Sequence, residues 1–297
     1  MSARTAFAPA KVNLYLHVGA VEADGLHPIS SLMAFADVGD HLSVRPADAM
    51  GLEINGPFAA GLGAGEDNLV MRAARAILAH GASPGAAFHL VLTKALPLAA
   101  GLGGGSSDAG AALRLMRDAL ENGLSDAALE AVAAQLGADG PACLFARSVV
   151  AEGRGERLSA APAFPVLDAV LVNPRVASPT GPVYRGFDEM GAIGGAERPE
   201  LPEAFETAEE MAGFLASCRN DLEAPAVRLT PRIGEVLETL RDEPEALLAR
   251  LSGSGATCFA LCAGDIEAEG LAERLERMRP DWWVQRCRLG GDWIGAQ

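Results

Sequence analysis

At 297 residues the chain is long for a single hydrophobic core and sufficient for two. Its 49% hydrophobic and 21% charged residues fit a soluble globular protein, and no apolar run approaches the ~18–20 residues that a membrane helix requires. A formal charge of −15 argues against a nucleic-acid or membrane-surface partner and draws attention to the basic residues, of which only Lys11 and Lys94 are lysines.

Residues 6–21 are mostly apolar, but Lys11, Asn13 and His17 interrupt them. They leave no continuous secretory h-region, so a cytoplasmic location is expected. Residues 11–18 alternate strictly, with Val12, Leu14, Leu16 and Val18 on one face and Lys11, Asn13, Tyr15 and His17 on the other. That period predicts a strand with one core face and one polar face. Short strands are expected at 41–45 and 52–54. Residues 66–79 have helical spacing at Leu69, Ala73, Ile77 and Leu78, acids in the first turn and Gly81 just beyond. Residues 88–93 alternate again as a strand.

That strand runs into PLAAGLGGGSSD, residues 97–108, which opens a helix expected over 107–120. Gly101, Gly103, Gly104 and Gly105 let backbone N–H groups come close to an anion. Ser106 and Ser107 add hydroxyls, and the helix N-terminus adds partial positive charge. These are the parts of a phosphate cradle. A dinucleotide-binding fingerprint does not fit, because the loop comes too late in the chain and Glu121, at the right distance, closes a helix rather than a strand. A Walker A loop does not fit either, since no lysine follows the last glycine.

A second helix is expected over 125–136, with Ser125 as N-cap and Gly137 at its stop. Asp139 follows in the turn GADGP. It either organises that turn or serves as a proton acceptor, and the residues alone leave both open. Strands are expected at 149–152 and 167–173, an exposed loop at 191–206, helices at 207–217 and 231–249, a strand at 257–262 and a helix at 267–278. Strands and helices are mixed without a βαβ rhythm, which indicates an α+β fold. The segment GRGER breaks the pattern, so a domain change is expected near residue 155. The five cysteines are odd in number with no CxxC pair, and read as buried thiols in a reducing compartment.

Three stretches in order, APAKVNLYL at 8–16, PLAAGLGGGSSDAGAAL at 97–113 and LSGSGATCFAL at 251–261, resemble the three motifs of the GHMP kinase superfamily. Further pieces resemble the branch that phosphorylates 4-diphosphocytidyl-2-C-methyl-D-erythritol. They are EADGLHPISSL at 22–32, EDNLV at 66–70, GADGPACLF at 137–145, EGRGERL at 152–158 and NDLE at 220–223. The chain departs from that branch at Leu26, where an aromatic residue is usual, at Ala99–Ala100, where glycine is common, and at Gly140, where Val or Ile is usual.

The resemblance implies a two-domain GHMP kinase fold with mixed sheets and the active site in the cleft between domains. Residues 1–155 would form the N-terminal domain and 156–297 the C-terminal one. It implies ATP and Mg²⁺ as cofactors, a small-molecule alcohol as the partner, and a monomer or weak homodimer. Lys11 and Asp139 are then the catalytic pair. Pro97, Leu98, Ala99, Ala100, Gly101, Leu102, Gly103, Gly104, Gly105, Ser106 and Ser107 are expected to hold the nucleotide, with Lys94 and Asn68 bordering the adenine. Asn13, Leu26, His27, Thr180, Tyr184, Gly253 and Ser254 are expected to line the acceptor site. No protein ligand of the metal stands out, and Ser107 is only nominated. A kinase for homoserine or a mevalonate-like alcohol, or a non-catalytic nucleotide sensor on the same scaffold, are the competing expectations.

Overall fold

The computed structural model describes residues 4–80, 86–120, 123–191 and 195–294. Gly81 and Glu121 lie outside that set. The chain opens with two long antiparallel strands, β1 (Arg4–Val18) and β2 (Ile29–Pro46). Both outrun the alternating segments legible in the sequence, and residues 30–36 of β2 are buried on both faces. The polar face of β1 is covered as well, and Lys11, Asn13, Tyr15 and His17 are all buried.

The short strand β3 (Gly51–Asn55) and helix α1 (Leu69–His80) follow, then β4 (Phe88–Thr93), helix α2 (Gly104–Leu120) and helix α3 (Asp126–Leu136). Ser125 caps α3 by accepting the Ala128 N–H, as its sequence predicts. A single-turn helix, α4 (Gly140–Phe145), comes next, with Pro141 in its first turn. Strands β5 (Val149–Gly153) and β6 (Arg157–Ala160) form a hairpin, and the expected domain change at residue 155 falls on its turn.

The second half comprises β7 (Leu167–Asn173), α5 (Thr180–Glu189), α6 (Ala208–Ala216), α7 (Glu223–Leu229), α8 (Pro231–Asp242), β8 (Leu248–Leu251), β9 (Cys258–Leu261), α9 (Asp265–Met278) and β10 (Trp283–Leu289). The helix expected to run to 249 stops at Asp242, ahead of Pro244, which cannot continue it. The strands join in the order β3-β4-β2-β10-β7-β9-β8, with β1 and the β5–β6 hairpin also on β2. Among the described strands only β3 and β4 pair in parallel. Among the described residues, the strands of the first and second halves pair once, Leu289 with Ala36. Helices α1, α2 and α3 share one apolar core with β4, whereas α7, α8 and α9 pack on the other half with β9. This α+β arrangement brings the middle of β1, the β4–α2 loop and the β8–β9 turn to one place.

Candidate active site

The glycine loop occupies residues 97–103, because α2 starts at Gly104, three residues earlier than its sequence spacing predicts. Four consecutive loop carbonyls are taken by the protein. Ser178 N–H donates to Ala99 O (3.3 Å), Thr257 N–H to Ala100 O (3.0 Å), Ser252 Oγ to Gly101 O (2.9 Å) and Lys11 N–H to Leu102 O (2.8 Å). With its carbonyls held from behind, the loop keeps its amide edge for an anion. Gly101 has φ +74°, and a Cβ there would stand 2.2 Å from Ser252 O, so no other residue fits. Ala99 takes φ +47°, a conformation that costs an alanine about 1–2 kcal/mol.

Lys11 and Asn13 stand two apart on β1 and so share a face. Lys11 Nζ donates to Asn13 Oδ1 (2.6 Å) and lies 3.2 Å from Asp139 Oδ2. Asn13 Nδ2 donates to Ser31 Oγ (2.7 Å), which fixes the amide so that its oxygen faces the lysine. Asp139 precedes α4 but makes no side-chain capping bond to it, and its carboxylate meets Lys11 instead. Gly140, the next residue, backs against α3 so closely that a Cβ would fall 2.1 Å from Ala133 O. Burial, and next the Asp139 carboxylate, push the Tyr184 hydroxyl up to about 12. The same two causes, in the same order, push the Cys143 thiol up to about 12. Both neighbours therefore stay neutral at physiological pH.

The turn between β8 and β9 closes the site from the second half of the chain. Ser252 Oγ accepts the Asn13 N–H (3.2 Å) while donating to Gly101. Asn220 Nδ2 donates to Leu251 O and Gly253 O, each at 2.8 Å. Ser178 Oγ donates to Ser254 O (2.7 Å), and Thr180 Oγ1 lies 3.0 Å from Ser254 Oγ. At the far end, His27 Nδ1 donates to Gly19 O (2.9 Å), its Nε2 is 3.4 Å from Asp188 Oδ1, and its ring lies 5.0 Å from that of Tyr184. Leu26 is 53% exposed at this rim, so the cleft edge there carries an open aliphatic side chain.

These parts line one cleft of about 1030 Å³, at the upper end for a single ligand and roomy enough for a nucleotide with a second molecule. Lys11, Asn13, Leu26, His27, Asn68, Thr180, Tyr184, Gly253, Ser254 and the loop from Pro97 to Ser106 all border it. Ser107 does not. The early start of α2 turns it fully inward, and Ser106 holds the cleft position. Lys94 reaches the cleft wall, but its ammonium is committed to Asp40 and to Asp108 (2.7 Å) rather than free for a base. Asn68 caps α1, accepting the Val70 N–H (2.9 Å) and donating to Gly63 O (2.8 Å).

Sequence reasoning missed Asp40 and Asp188. Asp40 lies between Gly39 and His41 in a stretch that matches no motif. Asp188 was open to detection, since Val183 and Phe187 are four apart behind Pro182 and mark a helix. Arg154 and Arg185 also border the cleft in this acidic chain. Among the described residues no three His, Cys, Asp or Glu side chains converge to hold a metal ion.

Comparison with known proteins agrees with this geometry. The family described as GHMP kinases N terminal domain matches residues 68–147, and that described as GHMP kinases C terminal matches residues 194–281. The chain is 65% identical to a 4-diphosphocytidyl-2-C-methyl-D-erythritol kinase of Caulobacter vibrioides, covering 96% of this chain and 99% of that one. It is 47% identical to a protein of the same name from Hyphomonas neptunium, over 96% of each chain. A crystal structure of 4-(cytidine 5'-diphospho)-2C-methyl-D-erythritol kinase superposes with a TM-score of 0.78 at 36% identity, over 97% of this chain and 100% of that one. A homoserine kinase from Cytophaga hutchinsonii shares the fold alone, at 19% identity and a TM-score of 0.71 over 99% and 96% of the two chains. With a near-complete match to relatives of one name and a site assembled from all three motifs, the chain belongs to the GHMP kinase family, among its 4-diphosphocytidyl-2-C-methyl-D-erythritol kinases.

Proposed function

We propose that this protein is an ATP-dependent kinase that phosphorylates the 2-hydroxyl of 4-diphosphocytidyl-2-C-methyl-D-erythritol, a step toward isoprenoid precursors independent of mevalonate. The observation that carries the reading is the 65% identity over 96% of the chain to an enzyme of that name. The Lys11–Asp139 pair at the glycine loop supplies fitting chemistry.

Phosphoryl transfer leaves a protein mainly positioning and charge neutralisation to perform. The loop amides and the α2 N-terminus hold the triphosphate. The acceptor hydroxyl lies against Asp139, which takes its proton as the oxygen attacks the γ-phosphorus. Lys11 faces the oxygens of the transferring group, and Asn13 keeps the ammonium aimed there. The bond from the γ-phosphorus to the β-phosphate oxygen breaks and ADP leaves. Mg²⁺ would be carried chiefly by phosphate oxygens, which suits a site without a three-ligand protein cluster. Asp139 and Ser106, both at the cleft surface, would supply its protein oxygens. The ion's contribution is to neutralise charge on the β- and γ-phosphates. His27, Leu26 and Tyr184 take the cytidine end of the acceptor, and Thr180, Gly253 and Ser254 the stretch between.

The domain division belongs to the same reading, with the chain passing from one unit to the other around residue 155. The protein works as a monomer or weak homodimer in the cytoplasm, where its five free cysteines, all buried, stay reduced. No helix among the described residues is long and apolar enough to cross a membrane.

The test is ADP release with Mg·ATP and 4-diphosphocytidyl-2-C-methyl-D-erythritol, run beside homoserine, mevalonate and no acceptor. ADP formed with the cytidyl alcohol alone supports the reading. ADP formed only with another alcohol removes the substrate assignment, and ATP binding without turnover leaves a sensor.

A further inference from the structure

Beneath the glycine loop lies a charged group that phosphoryl transfer does not use. Asp40 from β2, Lys94 from the end of β4 and Asp108 from α2 meet in the interior, each at most 2% exposed. Lys94 Nζ donates to one oxygen of Asp40 and, at 2.7 Å, to Asp108 Oδ2. The other oxygen of Asp40 accepts the N–H groups of Ala95 (2.6 Å) and Leu96 (2.9 Å). Those two amides form the entrance to the loop, and Asp108 stands in the helix at its exit. The loop also rests on the cluster, since a Cβ on Gly104 would lie 3.0 Å from Lys94 Nζ and 3.6 Å from Asp40 Oδ2.

Burying two carboxylates with one ammonium is a poor way to stabilise a core, because desolvation offsets most of the attraction. The cost is visible in Asp108, whose carboxyl is pushed up to about 7 by burial first, with Lys94 opposing and Asp40 reinforcing the shift. Asp108 Oδ1 is left buried without a hydrogen-bond partner. What the arrangement achieves is geometric, because one side chain fixes both ends of a loop whose middle is glycine and cannot fix itself. We propose that Asp40 is a positioning residue for ATP, closing a clasp through Lys94 to Asp108 that presets the glycine loop before nucleotide arrives. This inference rests on the reading of the loop as the ATP site, and it goes beyond the roles given to Lys11 and Asp139.

The test is direct titration of the free protein with Mg·ATP, without acceptor, on wild type and Asp40→Asn, followed by steady-state kinetics on both. Losing one charge-assisted hydrogen bond, and with it the set of the loop, should weaken ATP binding about tenfold or more. KM for ATP should rise with it, while KM for the acceptor alcohol stays within about twofold. Asp40→Asn protein that is folded and binds ATP as wild type does, or that raises both KM values equally, overturns the proposal. Should Asp40→Asn fail to fold, Asp108→Asn takes its place with the same expectations. Amide exchange on wild type needs no variant. Slow exchange at Ala95 and Leu96 without nucleotide supports a preset loop, and fast exchange overturns it. If the wild-type protein binds ATP yet turns over no acceptor, the kinase reading falls, while the clasp is still decided by the titration.

Discussion

In the proposed mechanism two side chains carry the chemistry, and their substitution should separate folding from turnover. Asp139→Asn keeps size and removes the proton acceptor, so kcat should drop by about 10²–10⁴, the range for a lost general base, with an unchanged melting temperature. Lys11→Ala removes charge that faces the transferring phosphoryl and should lower kcat by about 10²–10³. Near-wild-type rates in either would remove the role given to it. These residues were legible because they sit in ordered motifs, Lys11 in APAKVNLYL and Asp139 in GADGP. What the motifs left open was what each side chain meets. The absence of a capping bond at Asp139 and the 3.2 Å approach to Lys11 are properties of the fold, not of a pentapeptide.

Between residues and whole lies the meeting of the glycine loop with the β8–β9 turn. Gly101 admits no side chain because Ser252 O occupies the Cβ position, so Gly101→Ala should separate the two motifs and depress both stability and ATP binding. A melting temperature and nucleotide affinity equal to wild type would show that the contact is dispensable. Ala99 bears the opposite signature, a non-glycine residue at φ +47°. Ala99→Gly should raise stability by about 0.5–1 kcal/mol, read from denaturant midpoints, with catalysis retained. Elements of one clear period were legible to within a few residues, as with β4 and α3. Most of β2, buried on both faces, went unread because it shows no period, and β10 went unread although its burial alternates. The single-turn helix α4 is too short to carry any period.

Across the molecule, many surface carboxylates pair with arginine in exposed bridges, each worth little. The pH response worth measuring is interior. The folded protein holds the Asp108 proton more tightly than the unfolded chain, with an affinity near 7 against 3.8. That contribution to stability is therefore fully present below the unfolded value and is lost as pH rises through about 7. Asp108→Asn cannot ionise, so its melting temperature should gain on wild type between about pH 5 and about pH 8. Parallel curves would show that Asp108 is ionised throughout. The family and its two halves were legible in the sequence through three motifs spread along it, but this interior charge was not, since nothing in the sequence pairs position 40 with 94 and 108. Gly140 adds a last consequence. In this chain the Cβ position there is filled by the Ala133 carbonyl, 2.1 Å away. Gly140→Val, an apolar replacement of the kind that fills space in many proteins, would wedge α4 away from α3 and carry Asp139 with it. Position 140 is thus closed to any side chain unless α3 withdraws first.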